Sequence, residues 1–389
     1  MRFTPLVGQA LPYLIGAFIA AALLALVLTP LVRRVALHVD AVDHPDQRRV
    51  NVIPIPRGGG VAVATAFFLV VLAFGAANAT LRFLPTPLSV DPQAIVALLL
   101  GGALAAAFGV LDDYFDLRAR WQFGAQLILA GLAIVLGVTI DFFTNPFGPG
   151  IVRLDTPFAI GFTALWIVGM INSINFIDGL DGLSSGVVFI AAVTLGLISL
   201  TFVSQPYVAV LCFTLAGALL GFLRYNFHPA TVFVGTSGVM FMGYTLGVLS
   251  ILGTAKIAVA LLVLAVPIID AFWIIVRRVA QGRSPFSPDR GHLHHRLLDV
   301  GLSHRQTVLL IYAVCAALGV LSLLLSGAGQ VYAFLGVFVV IGLALFALSR
   351  MDLGGPDDEQ AGRDSVDGAA DARDARDDGR SAAQTSGSG

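Results

Sequence analysis

The sequence predicts an all-α, polytopic integral membrane protein with about eleven transmembrane helices, its N-terminus outside and its C-terminus in the cytoplasm. Three observations predict this. The 389 residues are 57% hydrophobic and only 12% charged, about half of the roughly 25% charge that a soluble domain carries. Eleven apolar runs approach or reach the ~20 residues that a helix needs to cross a bilayer. Loops after the odd-numbered runs hold fourteen arginines, from Arg33 and Arg34 through Arg57, Arg118 and Arg120 to Arg305. The other connections and the N-terminus hold only Arg2, Arg82, Arg153 and Lys256. Basic residues gather on the cytoplasmic side of membrane proteins, which sets the orientation.

In order, the runs lie near 12–32, 59–77, 93–111, 123–140, 158–174, 183–203, 206–223, 238–252, 256–276, 307–326 and 329–349. The first reads as a retained span and not a cleaved signal peptide. Only Arg2 precedes it, Arg33 and Arg34 follow it, and no small-x-small site ends it. The eighth is the shortest. Cys212 and Cys315 both fall in apolar runs, so no disulfide framework is indicated. From about Gly354 the composition turns to Asp, Arg, Gly, Ala, Ser and Gln. Residues 354–389 are therefore expected to be a disordered acidic tail behind one transmembrane domain over 1–353.

The polar residues cluster in the inner loops. These loops contain DHPDQRRVNVIPIPRGGG (43–60), LDDYFDLRARWQF (111–123), INSINFIDGLDGLSSG (171–186), RYNFHPATVFVGTSG (224–238) and RRVAQGRSPFSPDRGHLHHRL (277–297). The outer connections are short or bland. Such one-sidedness argues for a site at the inner membrane surface and against an ion-coupled transporter, whose acids would sit near mid-membrane.

Each cluster has two readings. Asp112 and Asp113 end the third run, where they are either a solvated helix terminus or a pair that shares a proton or a divalent cation. Anions meet the unfavourable end of the dipole at a helix C-terminus, which favours the second. Asn172, Asn175, Asp178 and Asp181 recur every three residues. They form either a tight Asp-Gly turn or, if the helix continues, one wall of a cavity with oxygen ligands for magnesium and a nucleotide. The basic loop 277–305 is either positive-inside filler or, with Arg290, His292, His294 and His295, a phosphate-recognition element. Zinc at those histidines lacks a fourth ligand of suitable spacing. Asp270 is an intramembrane acid that is either functional or paired with an arginine. Together these clusters point to metal-assisted phosphate chemistry, in which catalysis is positioning and electrostatics.

The motifs PIPRGGG, DDYFDL, NSINFIDGLDGLSSG, PIIDAFWIIVRR and SPFSPDRGHLHHRL, in this order from about Asp43 to Leu298, resemble the polyprenyl-phosphate N-acetylhexosamine-1-phosphate transferases. That family includes bacterial enzymes starting O-antigen, teichoic-acid and arabinogalactan linkers, and is related to the pentapeptide translocase of peptidoglycan synthesis. The resemblance implies transfer of an N-acetylhexosamine 1-phosphate, such as GlcNAc 1-phosphate, from a UDP-amino sugar to undecaprenyl phosphate, with release of UMP. It implies Mg2+, with Mn2+ as a substitute, and a bacterial plasma membrane location with the site facing the cytoplasm. The implied partners are the UDP-sugar, the polyprenyl phosphate and the lipid bilayer, with no nucleic acid and with a homodimer left open. Asp112 and Asp113 would organise metal and lipid phosphate. Asn172, Asn175, Asp178 and Asp181 would bind the nucleotide, the two aspartates also serving the metal. Arg290, His292, His294 and His295 would contact sugar or diphosphate, and Arg57 with Gly58 to Gly60 would form the rim.

The chain departs from the family pattern at three positions. Thr236 stands where an acidic metal ligand is usual, Gln122 where lysine is usual, and Asn51 where histidine is usual. An active transferase with an altered metal site is the leading expectation. The alternative is a non-catalytic relative that binds lipid phosphate or partner enzymes and regulates envelope assembly.

Overall fold

The computed structural model describes residues 5–43, 54–81, 90–145, 147–148, 150–202, 205–252, 256–282 and 291–350. Asn51, Arg290 and the expected tail at 354–389 lie outside the described residues. The elements in chain order are α1 (Pro5–His38), β1 (Val42–Asp43), β2 (Ile55–Pro56), α2 (Gly60–Leu81), α3 (Pro92–Phe115) and α4 (Ala119–Val135). Then come β3 (Phe142–Thr144), β4 (Ile151–Arg153), α5 (Thr156–Ile177), α6 (Leu183–Thr201), α7 (Pro206–Asn226), α8 (Gly235–Ile251) and α9 (Lys256–Val263). The last are α10 (Ala265–Ala280), α11 (Leu293–Asp299), α12 (His304–Leu324) and α13 (Ala328–Arg350). The strands form two antiparallel ribbons, β1 with β2 and β3 with β4.

Among the described residues, eight helices, α1, α2, α3, α5, α6, α7, α12 and α13, are long and apolar enough to cross a membrane, and α9 with α10 makes a ninth if counted as one bent span. The expected fourth and eighth spans fall on α4 and α8, which are shorter apolar helices. The expected ninth span, read as continuous over 256–276, bends by 77° between Val263 and Ala265. Pro267 explains the break. It has no N–H to give the Val263 carbonyl one turn back, and its ring crowds that position unless a new helix begins.

α8 sits at the centre. Every residue from Ser237 to Ser250 is buried, as befits a helix that is apolar on all sides. It packs against α2, α3 and α5. α13 is the opposite case, with Leu335, Val339, Val340 and Leu343 exposed on its outer face, where lipid is the natural solvent.

Two glycines let the helices meet at the N-terminal end of α8. A Cβ at Gly60 would lie less than 3.0 Å from Gly238, and one at Gly109 less than 3.0 Å from the Ser237 backbone. Small residues permit such backbone approach without an apolar driving force between helices. The Gly-rich segment after β2 is also stitched to the loop segment entering α8. Phe233 N–H donates to the Pro56 carbonyl at 2.9 Å, while Gly59 and Gly60 N–H donate to the Phe233 and Val234 carbonyls at 2.9 and 2.8 Å.

Candidate active site

The helix ends converge on two cavities. A polar one of about 700 Å3 is lined by Arg57, Asp113, Asn175, Asp178, Asp181, His228, Thr236, His295 and His304 among others. An apolar one of about 850 Å3 runs between α4, α5 and α10, lined by Phe162, Leu165, Trp166, Ile268 and Phe272 and reaching Asn172, Arg278, His292 and His294. Asn175, Asp178, Gly179 and His295 line both.

The adjacent carboxylates of α3 part company. Asp113 reaches the first turn of α8, accepting the Thr236 N–H at 2.7 Å and the Ser237 N–H at 3.1 Å. Those donors have no partner within their own helix, and the positive end of its dipole favours an anion. Asp112 turns the other way, is buried, and accepts from Gln122 Nε2 at 2.8 Å and Leu117 N–H at 3.2 Å. It lines neither cavity. The neutral amide at 122 thus serves one carboxylate, and Thr236 meets the other through its backbone.

The Asn-Asp series is both helix and turn. α5 ends at Ile177, so the expected continuous helical wall does not form. Asn172 points into the apolar side and donates to Gln126 Oε1 at 2.6 Å. Asn175 stays on the helix, Asp178 caps its C-terminal end, and Asp181 lies in the following turn. Two Asp-Gly steps supply that turn, with Gly182 at φ +79°.

Asp178 accepts from Ser184 Oγ at 2.5 Å. Burial pushes its carboxyl up to about 7, the Ser184 bond opposing and Asp113 and Asp181 adding to the rise. The folded chain therefore binds a proton there between about pH 4 and 7 that the unfolded chain does not, and this group's contribution to stability falls as pH rises through that window. In metal-free detergent solution, the thermal midpoint of the wild type is expected to fall from pH 5 to pH 8 relative to that of Asp178→Asn. Parallel profiles would show that Asp178 is ionised throughout.

His294 and His295 sit on the short helix α11, with His292 at its N-cap, and α10 anchors the start of that helix. Asp270 is almost wholly buried and accepts the Leu293 N–H at 2.8 Å, with His292 Nδ1 also 2.8 Å away. The acid in α10 therefore holds the start of α11 in place. The His294 ring stands against Gly179, where a Cβ would collide with it. Burial, with His295, His292 and His304 adding, holds His294 well below its ordinary value. That direction favours the neutral imidazole at this buried position. Arg278 is buried over the Phe176 ring at 5.7 Å. Arg57 pairs with Asp43, its Nε at 2.7 Å, on the rim of the polar cavity.

His228, Asn226, His304, Gln126 and Arg278 were not singled out as site residues from sequence. His228 and Asn226 carried a signal as part of the fourth polar cluster, and Arg278 as the last residue of PIIDAFWIIVRR. His304 lay unremarked at the end of the basic loop 277–305, where it begins a long apolar helix.

The profile of glycosyl transferase family 4 matches residues 95–254. A Bacillus subtilis protein named probable undecaprenyl-phosphate N-acetylglucosaminyl 1-phosphate transferase is 35% identical over 344 residues, covering 86% of this chain and 90% of that protein. The decaprenyl-phosphate N-acetylglucosaminephosphotransferase of Mycolicibacterium smegmatis is 34% identical over 371 residues, 88% of this chain and 89% of its own. The undecaprenyl-phosphate alpha-N-acetylglucosaminyl 1-phosphate transferase of Escherichia coli K12 is 30% identical over 305 residues, 75% of this chain and 78% of its own. At these identities and coverages the chain belongs to glycosyl transferase family 4, among the polyprenyl-phosphate N-acetylglucosamine-1-phosphate transferases.

Proposed function

We propose that this chain transfers GlcNAc 1-phosphate from UDP-GlcNAc to polyprenyl phosphate at the cytoplasmic face of a bacterial plasma membrane, releasing UMP and starting a cell-envelope polysaccharide. The observation that carries the reading is the junction of a polar and an apolar cavity at Asn175, Asp178, Gly179 and His295. A water-soluble diphosphate suits the first cavity and a polyprenyl tail the second, so their phosphates would meet at the shared wall. An oxygen of the lipid phosphate attacks the sugar-bearing phosphorus, the bond to the other phosphate breaks, and UMP leaves.

The residues present fit a magnesium ion. Asp113 raises the cost of charge on Asp178, and both line the polar cavity, a setting in which a hard divalent cation is the natural counter-charge. When bound, such an ion offsets charge on the diphosphate. The protein's own part is positioning. The first turn of α8 holds Asp113, Ser184 holds Asp178, and the neutral His294 bounds the junction without adding charge.

The test is UMP release by the purified full chain in detergent with UDP-GlcNAc and undecaprenyl phosphate across a magnesium and manganese titration. Turnover dependent on both substrates and metal is expected. Because Thr236 offers one neutral oxygen in place of a carboxylate, Thr236→Asp is expected to lower the magnesium concentration for half-maximal rate about tenfold. Silence from wild type and variant alike would overturn the reading. Activity appearing only in Thr236→Asp would identify a relative whose catalysis lapsed at that position.

A further inference from the structure

Magnesium being assigned above to Asp113 and Asp178, we infer that Asp181, which the resemblance alone gave to that ion, instead forms with His228 and His304 a second cation site, selective for a d-block divalent ion such as Zn2+ or Co2+. They come from three segments: the turn after α5, the loop after α7 and the first residue of α12. One ligand atom from each lies within 4.8 Å of the others. His228 Nδ1 is 2.8 Å from Asp181 Oδ2, which also accepts the Ala230 N–H at 3.0 Å. The His304 ring stacks on His228 with centroids 4.2 Å apart and planes 22° apart. Both His304 nitrogens are shielded from water without a hydrogen-bond partner of good geometry. A buried polar group left in that state is costly, and coordination removes the cost.

The scaffold is pre-assembled. A capping box of Ser303 and Gln306 fixes the start of α12. Arg305 Nη2 donates to the His228 carbonyl at 3.1 Å, and the Tyr312 hydroxyl donates to the Gly182 carbonyl. Two imidazoles and a carboxylate suit zinc or cobalt and are poor ligands for magnesium, which prefers oxygen. All three residues line the polar cavity, so the ion's remaining position is available there to water or an anionic oxygen. A bound ion would also cross-link the three segments and raise the unfolding temperature by mass action.

The experiment is equilibrium binding of Co2+ and Zn2+ to the full chain in detergent, its affinity tag removed, in a large excess of magnesium. Expected are one ion per chain, a cobalt spectrum of imidazole coordination, and at least tenfold weaker binding in both His304→Gln and His228→Gln. Asp113→Asn and His294→Gln should bind as the wild type does. Elution in size exclusion identifies folded variants, and the two histidine substitutions serve independently if one fails to fold. No ion retained by folded wild type would overturn the inference, as would undiminished binding in the folded histidine variants. Loss of the ion in Asp113→Asn or His294→Gln would place it elsewhere and overturn it equally. The readout is binding, so a failed transferase assay does not touch it.

Discussion

Asp113→Asn is expected to lower UMP release about a thousandfold while leaving the protein folded. The Asp113 carboxylate is the bridge between α3 and α8, accepting two backbone N–H groups that no residue of α8 can satisfy. Asparagine keeps one acceptor oxygen but turns an N–H2 group toward the second donor, and it removes the charge that the helix terminus favours. In a phosphoryl-transfer site the same charge is also the one best placed to hold metal beside Asp178. Loss of one preorganised electrostatic group in other enzymes costs on the order of 10²–10³ in rate, and with the proposed magnesium role one substitution removes both a positioning contact and a ligand. Single-turnover and steady-state UMP release, with thermal unfolding as the folding control, would check this. Turnover within a few-fold of wild type would mean that Asp113 only caps α8.

Gly109→Ala should cost about a hundredfold in turnover without touching any substrate. Gly109 lies one turn before Asp113 on the same face of α3, and a Cβ there would overlap the Ser237 backbone and the Thr236 carbonyl. Backbone cannot rotate aside as a flexible side chain would, so α3 must move away from α8. A shift near 1 Å carries Asp113 off its two donors, and misplacement of that size costs about 10²-fold in well-positioned reactions. Overpacking of this kind also costs roughly 1–3 kcal/mol of stability, so the unfolding midpoint should drop as well. Gly124→Ala is the matched control, because nothing lies within 4 Å of a Cβ at that position of α4. Wild-type turnover in Gly109→Ala would show that the α3–α8 contact is loose.

Much of the molecule was legible along the chain. Apolar runs of bilayer length have to become helices, because every backbone N–H and C=O in hydrocarbon must be satisfied within the segment. The motif clusters were legible for a related reason: Asp, Asn and His beside lipid are costly and stand out against 57% hydrophobic residues. Of the residues singled out that way, Asn175, Asp178 and Arg57 line one cavity. The double Asp-Gly step correctly signalled a turn, although the spacing of three suggested a helix passing through it.

Partner choice was another matter. That Asp112 would face Gln122 and Asp113 would face α8 depends on a crossing between residues 123 positions apart in sequence, as in the Asp113–Thr236 bond. Asp270 read equally well as an arginine partner, and only the packing of the start of α11 against α10 assigns it to His292 and Leu293. The 77° bend at Leu264 hides inside a uniformly apolar run whose single clue is Pro267. His304 lay unremarked at the end of the basic loop 277–305, and packing set it on His228 and beside Asp181. The sequence by itself determined which segments become helices and which polar residues are too costly to be idle, because both follow from local transfer free energy. Only the tertiary structure decided which of those residues meet. Helix rotation and crossing are set by side-chain packing between distant segments, and no local pattern encodes that.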